Sequence, residues 1–201
     1  MDTFGPKEST TAPAAIGAAP QDAASFSPWP NRIIFLLSLI GLFVAGYLWS
    51  LHVRNLDAPC VAGGSGCNDV LRSPYAKFPV GSGPPVAAYG ALGYLALLGL
   101  AVARAVGMSD ASDPAVRAAR DRVLLGLIVL AAAGGAAFSL RLTYLSLAVI
   151  GRACPWCLGS QALILGLLAA AVFDFLRRRR QDRRATSRRE PLTSAESRTS
   201  A

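Results

Sequence analysis

Histidine is nearly missing from this sequence, cysteine occurs only four times, and charged residues make up just 16% of the chain. Each shortage excludes something. The single histidine, His52, leaves no histidine cluster for a metal centre, and it reads as an interfacial residue closing an apolar run. With 53% hydrophobic residues and a mean hydropathy of +0.41, the chain is too apolar for an ordinary soluble domain and belongs with membrane proteins. Lys7 is the only positive charge before Arg32 and no A-x-A site follows, so no cleaved signal peptide is expected. Asp57-Ala58-Pro59-Cys60 is a poor lipobox, because an acidic residue replaces an apolar one, and Cys60 stays a thiol. Nucleic acid is excluded as a partner despite a net charge of +8. Nine of the 20 Lys and Arg lie after residue 176, with no aromatic-and-basic interleaving and no groove-reading motif. That basic tail is instead a topology and lipid-surface signal.

What is present divides into four apolar runs, within a length suited to one domain. Residues 1–31, rich in Ala, Pro, Ser, Thr and Gly, are expected to be a disordered cytoplasmic segment. The uncharged run 33–51 has about the 20 residues needed to cross a bilayer core. Residues 52–83 form an outer loop holding Cys60 and Cys67, with Gly63, Gly64 and Gly66 leaving the chain between them free to swing. Asn68 is placed to cap a short helix, with Asp69 in its first turn. Val70, Leu71, Tyr75 and Phe78 fall roughly on one face, and Pro74 interrupts it. The expectation is an interfacial half-helix lying over the bundle as a lid; the alternative is a loop whose apolar residues dip into the headgroups. The second run, 86–106, follows Pro84 and Pro85, and its Gly90 and Gly93 suit close helix approach. A polar loop, 107–122, contains the helix-start signal Asp113-Pro114. The third run covers 123–150 and the fourth 154–176, stopped by the arginine run 177–180. Residues 177–201 are expected to be a basic, disordered cytoplasmic tail. The fold class is therefore all-α: a four-transmembrane-helix bundle with a cysteine-bearing outer loop.

Positive charge orients the chain. With the N-terminus cytoplasmic, inside segments hold 15 Lys and Arg and outside segments hold Arg54, Arg72, Lys77 and Arg152. Both termini then lie in the cytoplasm, and all four cysteines face the periplasm or the outside, where disulfides persist. The expected location is the cell inner (cytoplasmic) membrane. Arg141 is left within a span, nine residues before Ile150, and is expected to face the bundle interior or to snorkel outward.

The chemistry centres on Cys154-Pro155-Trp156-Cys157. Cys154 stands at a helix N-cap, Pro155 at the first helical position and Cys157 in the first turn. Unpaired backbone N–H groups and the positive dipole end favour a thiolate there, the species that attacks a disulfide or an electrophilic carbon. One alternative is half of a zinc knuckle, which the C-x6-C spacing of the other pair and the lack of nearby histidine disfavour. Another is a static Cys60–Cys67 disulfide.

The ordered motifs resemble the bacterial vitamin K epoxide reductase family. The resemblance rests on Asp57, Cys60 and Cys67, and on Val70-Leu71 with Ser73 and Tyr75-Ala76. It continues through Gly83-Pro84-Pro85-Val86-Ala87 with Gly90 and Tyr94, and Cys154-Pro155-Trp156-Cys157-Leu158 with Ser160. It covers residues 32–176 and implies a four-helix bundle around a quinone, ubiquinone or menaquinone, as electron acceptor. It also implies roles. Cys60 forms a mixed disulfide with a thioredoxin-like partner, Cys67 passes electrons to Cys154, and Cys157 reduces the quinone. Ser73 matches a family serine near the loop cysteines. Tyr89 and Gln161 are candidate donors to the quinone carbonyls, with ordinary packing as the alternative reading. About 25 residues follow the fourth run, so the partner is expected to be a separate extracytoplasmic DsbA-type protein. Animal members place an asparagine where this chain has Val86, which favours a quinone over vitamin K epoxide as oxidant.

The leading function is thus a quinone-dependent thiol:disulfide oxidoreductase. Electrons pass from a partner dithiol to Cys60/Cys67, to Cys154/Cys157, to quinone. The competing functions are the reverse flow, carrying reductant outward, and a non-catalytic membrane protein with structural disulfides or a bound metal.

Overall fold

The computed structural model describes residues 29–60, 66–110, 113–152 and 154–199. In chain order its elements are α1 (Trp29–Val53), the short α2 (Gly66–Leu71), a 3-10 turn (Pro74–Ala76), α3 (Val86–Asp110), α4 (Pro114–Tyr144) and α5 (Pro155–Thr199). A π-helical turn, Leu145–Ile150, prolongs α4. The four long helices are each apolar and long enough to cross a membrane. No strand occurs among the described residues, and one isolated bridge pairs Lys77 with Pro85. The protein is a multi-pass, all-α membrane bundle, as the four apolar runs require.

Small residues let these helices close on one another. Lipid is as apolar as leucine, so membrane helices associate by close packing rather than by escape from water. Ala91, Tyr94, Leu97 and Ala101 recur at helical spacing on the buried face of α3. They meet Ile34 and Ala45 of α1, Ile128, Ala132 and Ala136 of α4, and Ile164, Leu167 and Ala171 of α5. At Gly41 the approach is closest: a Cβ there would stand 2.3 Å from the Tyr94 ring. The opposite faces carry exposed Phe43, Leu92, Leu130 and Phe173, as a lipid-facing surface should.

At the end away from the cysteines, three buried charges, Arg104, Asp121 and Asp174, meet the half-buried Arg178. Arg104 is fully buried; its Nε donates to Asp121 Oδ1 at 2.7 Å and its Nη2 to Asp174 Oδ2 at 2.6 Å. Arg178 donates to Asp174 Oδ1 at 3.2 Å and to Asp121 Oδ2. Two guanidinium groups and two carboxylates thus close a ring across α3, α4 and α5, so the cluster carries no formal net charge. Nearby, Asn31 Nδ2 donates to the Ala101 carbonyl at 3.1 Å and ties α1 to the same end.

This changes the reading of the charged residues. Arg104 is the arginine inside the bundle, whereas Arg141 is exposed. Arg141 lies 19 residues after Arg122. At about 1.5 Å per residue that is close to the roughly 30 Å of a bilayer core, which puts it at the far headgroup level. Measuring from Ile150 placed it too deep, because the third span runs on beyond that level.

Several boundaries also move. α1 starts at Trp29, since Asn31 finds a buried partner, so residues 29–31 are helical; residues 1–28 lie outside the described residues. The expected polar loop 107–122 shrinks, with α3 reaching Asp110 and α4 starting at Pro114 behind Asp113. The Asp113 side chain accepts from the Ala115 N–H at 2.8 Å, as the Asp-Pro pair predicts. α5 does not stop at the arginine run but continues through the expected tail to Thr199, in keeping with the helix propensity of Arg, Gln and Glu.

The ring makes a stability prediction. Arg104→Leu leaves two buried carboxylates with one remaining cation and should cost about 3–5 kcal/mol. Arg122→Ala, which breaks an exposed pair with Asp182, should cost about 1 kcal/mol or less. Thermal unfolding in detergent compares the two, and equal losses would refute the structural role of the ring.

Candidate functional site

The four cysteines meet at one end of the bundle. Gly151 takes a left-handed conformation (φ 70°), open to glycine without strain, and ends the π-helical turn. The chain then folds back: Ser146 Oγ donates to the Arg152 carbonyl at 2.7 Å. Cys154 follows, and its carbonyl accepts the first helical bond of α5 from Leu158 at 3.0 Å. Pro155 is the first residue of α5, as the capping pattern predicts.

On the loop side, Cys60 and Cys67 form a disulfide with Cα atoms 6.0 Å apart, while Cys154 and Cys157 are free thiols. Cys67 and Cys154 are both buried, in one apolar cluster with Leu48, Leu51 and Ala58, and Cys60, Cys157 and Trp156 pack against it. Two hydrogen bonds hold the loop there. Trp156 Nε1, from within the C-x-x-C, donates to the Pro59 carbonyl beside Cys60 at 2.9 Å. Ala58 N–H donates to Asn68 Oδ1 at 2.9 Å. Asn68 therefore does not cap α2, which starts two residues earlier at Gly66; its side chain fastens the incoming strand of the loop instead. Gly63 and Gly64, expected to let the loop swing, lie outside the described residues.

The lid takes shape as the pattern suggested. α2 ends at Leu71 and the 3-10 turn begins at Pro74. Val70, Leu71, Ser73, Tyr75 and Ala76 roof a cavity of about 290 Å³, at the lower end of the ~300–1,000 Å³ range of small-molecule sites. Leu97 and Ile164 line it from the bundle, and Cys157 and Trp156 from the first turn of α5. Phe78 meets Tyr89 and Phe138 edge-on, with ring centres 6.1 and 6.3 Å away. Cys157 contributes to the cavity wall and Cys154 does not. Both cysteines of the C-x-x-C thus adjoin the loop disulfide's cluster, and Cys157 alone also lines the cavity.

The sulfur marked by its surroundings as a thiolate is Cys154. The Cys157 thiol donates to it and the backbone N–H groups of Cys157 and Trp156 add to the effect. Together they outweigh burial and lower its pKa from 9.0 to about 7. Activation was expected at Cys157, in the first turn; the cap position receives the converging donors because its sulfur faces the open N–H groups of the helix end.

The three candidate ligand donors are placed differently from one another. Ser73 and Tyr89 line the cavity, but the Ser73 hydroxyl donates to the Val70 carbonyl at 2.8 Å and that of Tyr89 to the Phe78 carbonyl at 3.1 Å. Gln161 is buried outside the cavity wall, facing Thr143 Oγ1 at 3.5 Å. His52, read as merely interfacial, lines the cavity. Its place at the end of α1, one turn after Leu48, was the available signal. Trp156 was named only as part of a motif, although an indole between two cysteines is a donor in search of an acceptor.

Among known proteins, the family model described as the vitamin K epoxide reductase family matches residues 32–172, well over half of the chain.

The thiolate assignment is open to a direct check. In reduced C-x-x-C protein, alkylation of Cys154 followed by peptide mapping should titrate near pH 7. Cys157→Ala removes the largest contribution, so the midpoint should rise toward the ordinary thiol value. A midpoint that stays near 7 would transfer the effect to the helix terminus alone.

Proposed function

Because this chain belongs to the vitamin K epoxide reductase family, whose members are oxidoreductases, we propose that it is a quinone-linked thiol:disulfide oxidoreductase that reoxidises an extracytoplasmic DsbA-type protein. The observation that carries this reading is the division of the C-x-x-C. Cys154 shares a buried cluster with the Cys60–Cys67 disulfide, and Cys157 stands in the wall of an apolar cavity.

The steps follow from thiol–disulfide exchange. A partner dithiol attacks the half-buried Cys60, the sulfur of its pair nearer the surface, and leaves oxidised while Cys60 and Cys67 take up its two electrons. Cys67 then attacks Cys154, displacing Cys157, and Cys60 resolves the Cys67–Cys154 bridge. The departing group in that resolution is Cys154, and a thiol of lowered pKa leaves faster. The outcome is an oxidised outer pair beside a reduced C-x-x-C, the arrangement of the four sulfurs described here. The cavity fits a quinone head group: apolar, of ligand size, with a thiol on its wall. A quinone bound there supplies an acceptor for two electrons and two protons. The chain's own residues exclude water with the lid, hold Cys157 against the cavity and keep Cys154 beside the loop.

In this reading the cysteine end faces the periplasm or cell exterior and both termini the cytoplasm of the inner membrane, which the arginine distribution supports. The Cys154 thiolate beside an oxidised outer pair also suits the reverse flow, which passes reductant outward.

Cys157→Ser decides the role of the C-x-x-C. The variant should lose quinone reduction altogether, while Cys60 and Cys67 still exchange with a reduced DsbA-type dithiol, followed by trapping of mixed disulfides. Quinone turnover preserved in that variant would sink the assignment.

A further inference from the structure

The cavity that holds Cys157 has few side chains able to hand over a proton. Among the described residues no aspartate, glutamate, lysine or arginine lines it. Most of its polar groups are already engaged. Ser73 and Tyr89 donate to backbone carbonyls, Tyr94 pairs with Ser160, Thr143 faces Gln161, Ser146 donates to the Arg152 carbonyl and Trp156 to that of Pro59. His52, Tyr75 and Ser139 are left, whose side chains make no hydrogen bond among the described residues. Imidazole is the one side chain of these three types with two ring nitrogens, so that one can donate while the other takes up a proton.

Its position suits that task. His52 is in the last turn of α1, four residues after Leu48, which both lines the cavity and packs in the cysteine cluster. It is half-buried, so it adjoins the cavity and the aqueous side of the cysteine end. The other titratable groups around the cavity are Tyr75 from the lid, Tyr89 and Tyr94 from α3 and Cys157 from α5; α4 contributes none.

The proton balance gives such a group a role whenever Cys154 reacts as a thiolate. Resting on the quinone-linked reading above, closure of the Cys154–Cys157 disulfide releases two electrons to the quinone. A quinol carries two protons. Cys157 brings one; when Cys154 reacts as the thiolate that its hydrogen-bond donors favour, it brings none, and the second comes from elsewhere. We propose that His52 donates a hydrogen bond to an oxygen of the quinone seated in this cavity and hands over that second proton, regaining it from the water outside the cysteine end. Ser73, Tyr89 and Gln161 are thereby replaced as the principal donor.

The single histidine makes the test clean. Full-length protein labelled with 15N-histidine and 15N-tryptophan, with both cysteine pairs oxidised so that no turnover occurs, is titrated with a short-chain quinone. The His52 imidazole resonances should shift over the same concentrations as the Trp156 indole, assigned with Trp156→Phe. A Trp156 shift without one at His52 would overturn the proposal while leaving the quinone site in place. Silence at both would remove the quinone reading and the proposal together. In turnover, His52→Gln keeps a hydrogen-bond donor but cannot act as an acid, and should slow quinone reduction roughly 100-fold while changing quinone affinity about twofold or less. An unchanged rate would also overturn the proposal.

Discussion

The N-terminus of α5 governs the chemistry of the cysteine end. A helix start has unpaired N–H groups that need an acceptor, and here the acceptor is the sulfur at the cap. Pro155 can stand at that start because it has no N–H to lose. The same turn brings Cys157 to the cavity wall, and the indole between the two cysteines reaches across to the loop at Pro59. Gly151 sets the reversal from which α5 departs. One local element therefore gives the two hydrogen-bonded sulfurs different neighbours, activates one of them and ties down the loop that carries the other pair.

The two ends of the bundle are held together in different ways. Away from the cysteines, the closed ring of Arg104, Asp121, Asp174 and Arg178 joins three helices in an apolar setting where an unmatched charge is costly. At the cysteine end the ion pairs, Arg72 with Asp57 and Arg152 with Asp69, are solvent-exposed and weak, and the loop hangs on single hydrogen bonds. A firm base under a lightly fastened lid suits a relay whose loop must meet an outside partner and then an inside thiol.

The sequence was a good guide to periodic and local features. Spans follow from unbroken apolar runs, the cap from Cys-Pro, the lid from a proline-interrupted amphipathic stretch and the α4 start from Asp-Pro. What it hid was long-range. Arg104 and Asp174 lie 70 residues apart, and the local pattern around neither one reveals its partner. Arg141 was judged against the end of its helix rather than against the membrane. Asn68 was placed as a cap because residue type tells which groups donate or accept, and only the fold tells which backbone groups take them; Ser73 and Tyr89 do line the cavity, with their hydroxyls bonded to backbone carbonyls.

The central claim is that two electrons travel from an outside dithiol through both cysteine pairs to a quinone. It is tested most directly by mixing purified protein with a reduced DsbA-type dithiol and following quinone absorbance against disulfide formed. The relay predicts one quinone lost for each disulfide gained, and none without the protein. Unchanged quinone while all four sulfurs stay inert would contradict it and leave the cysteines a structural role.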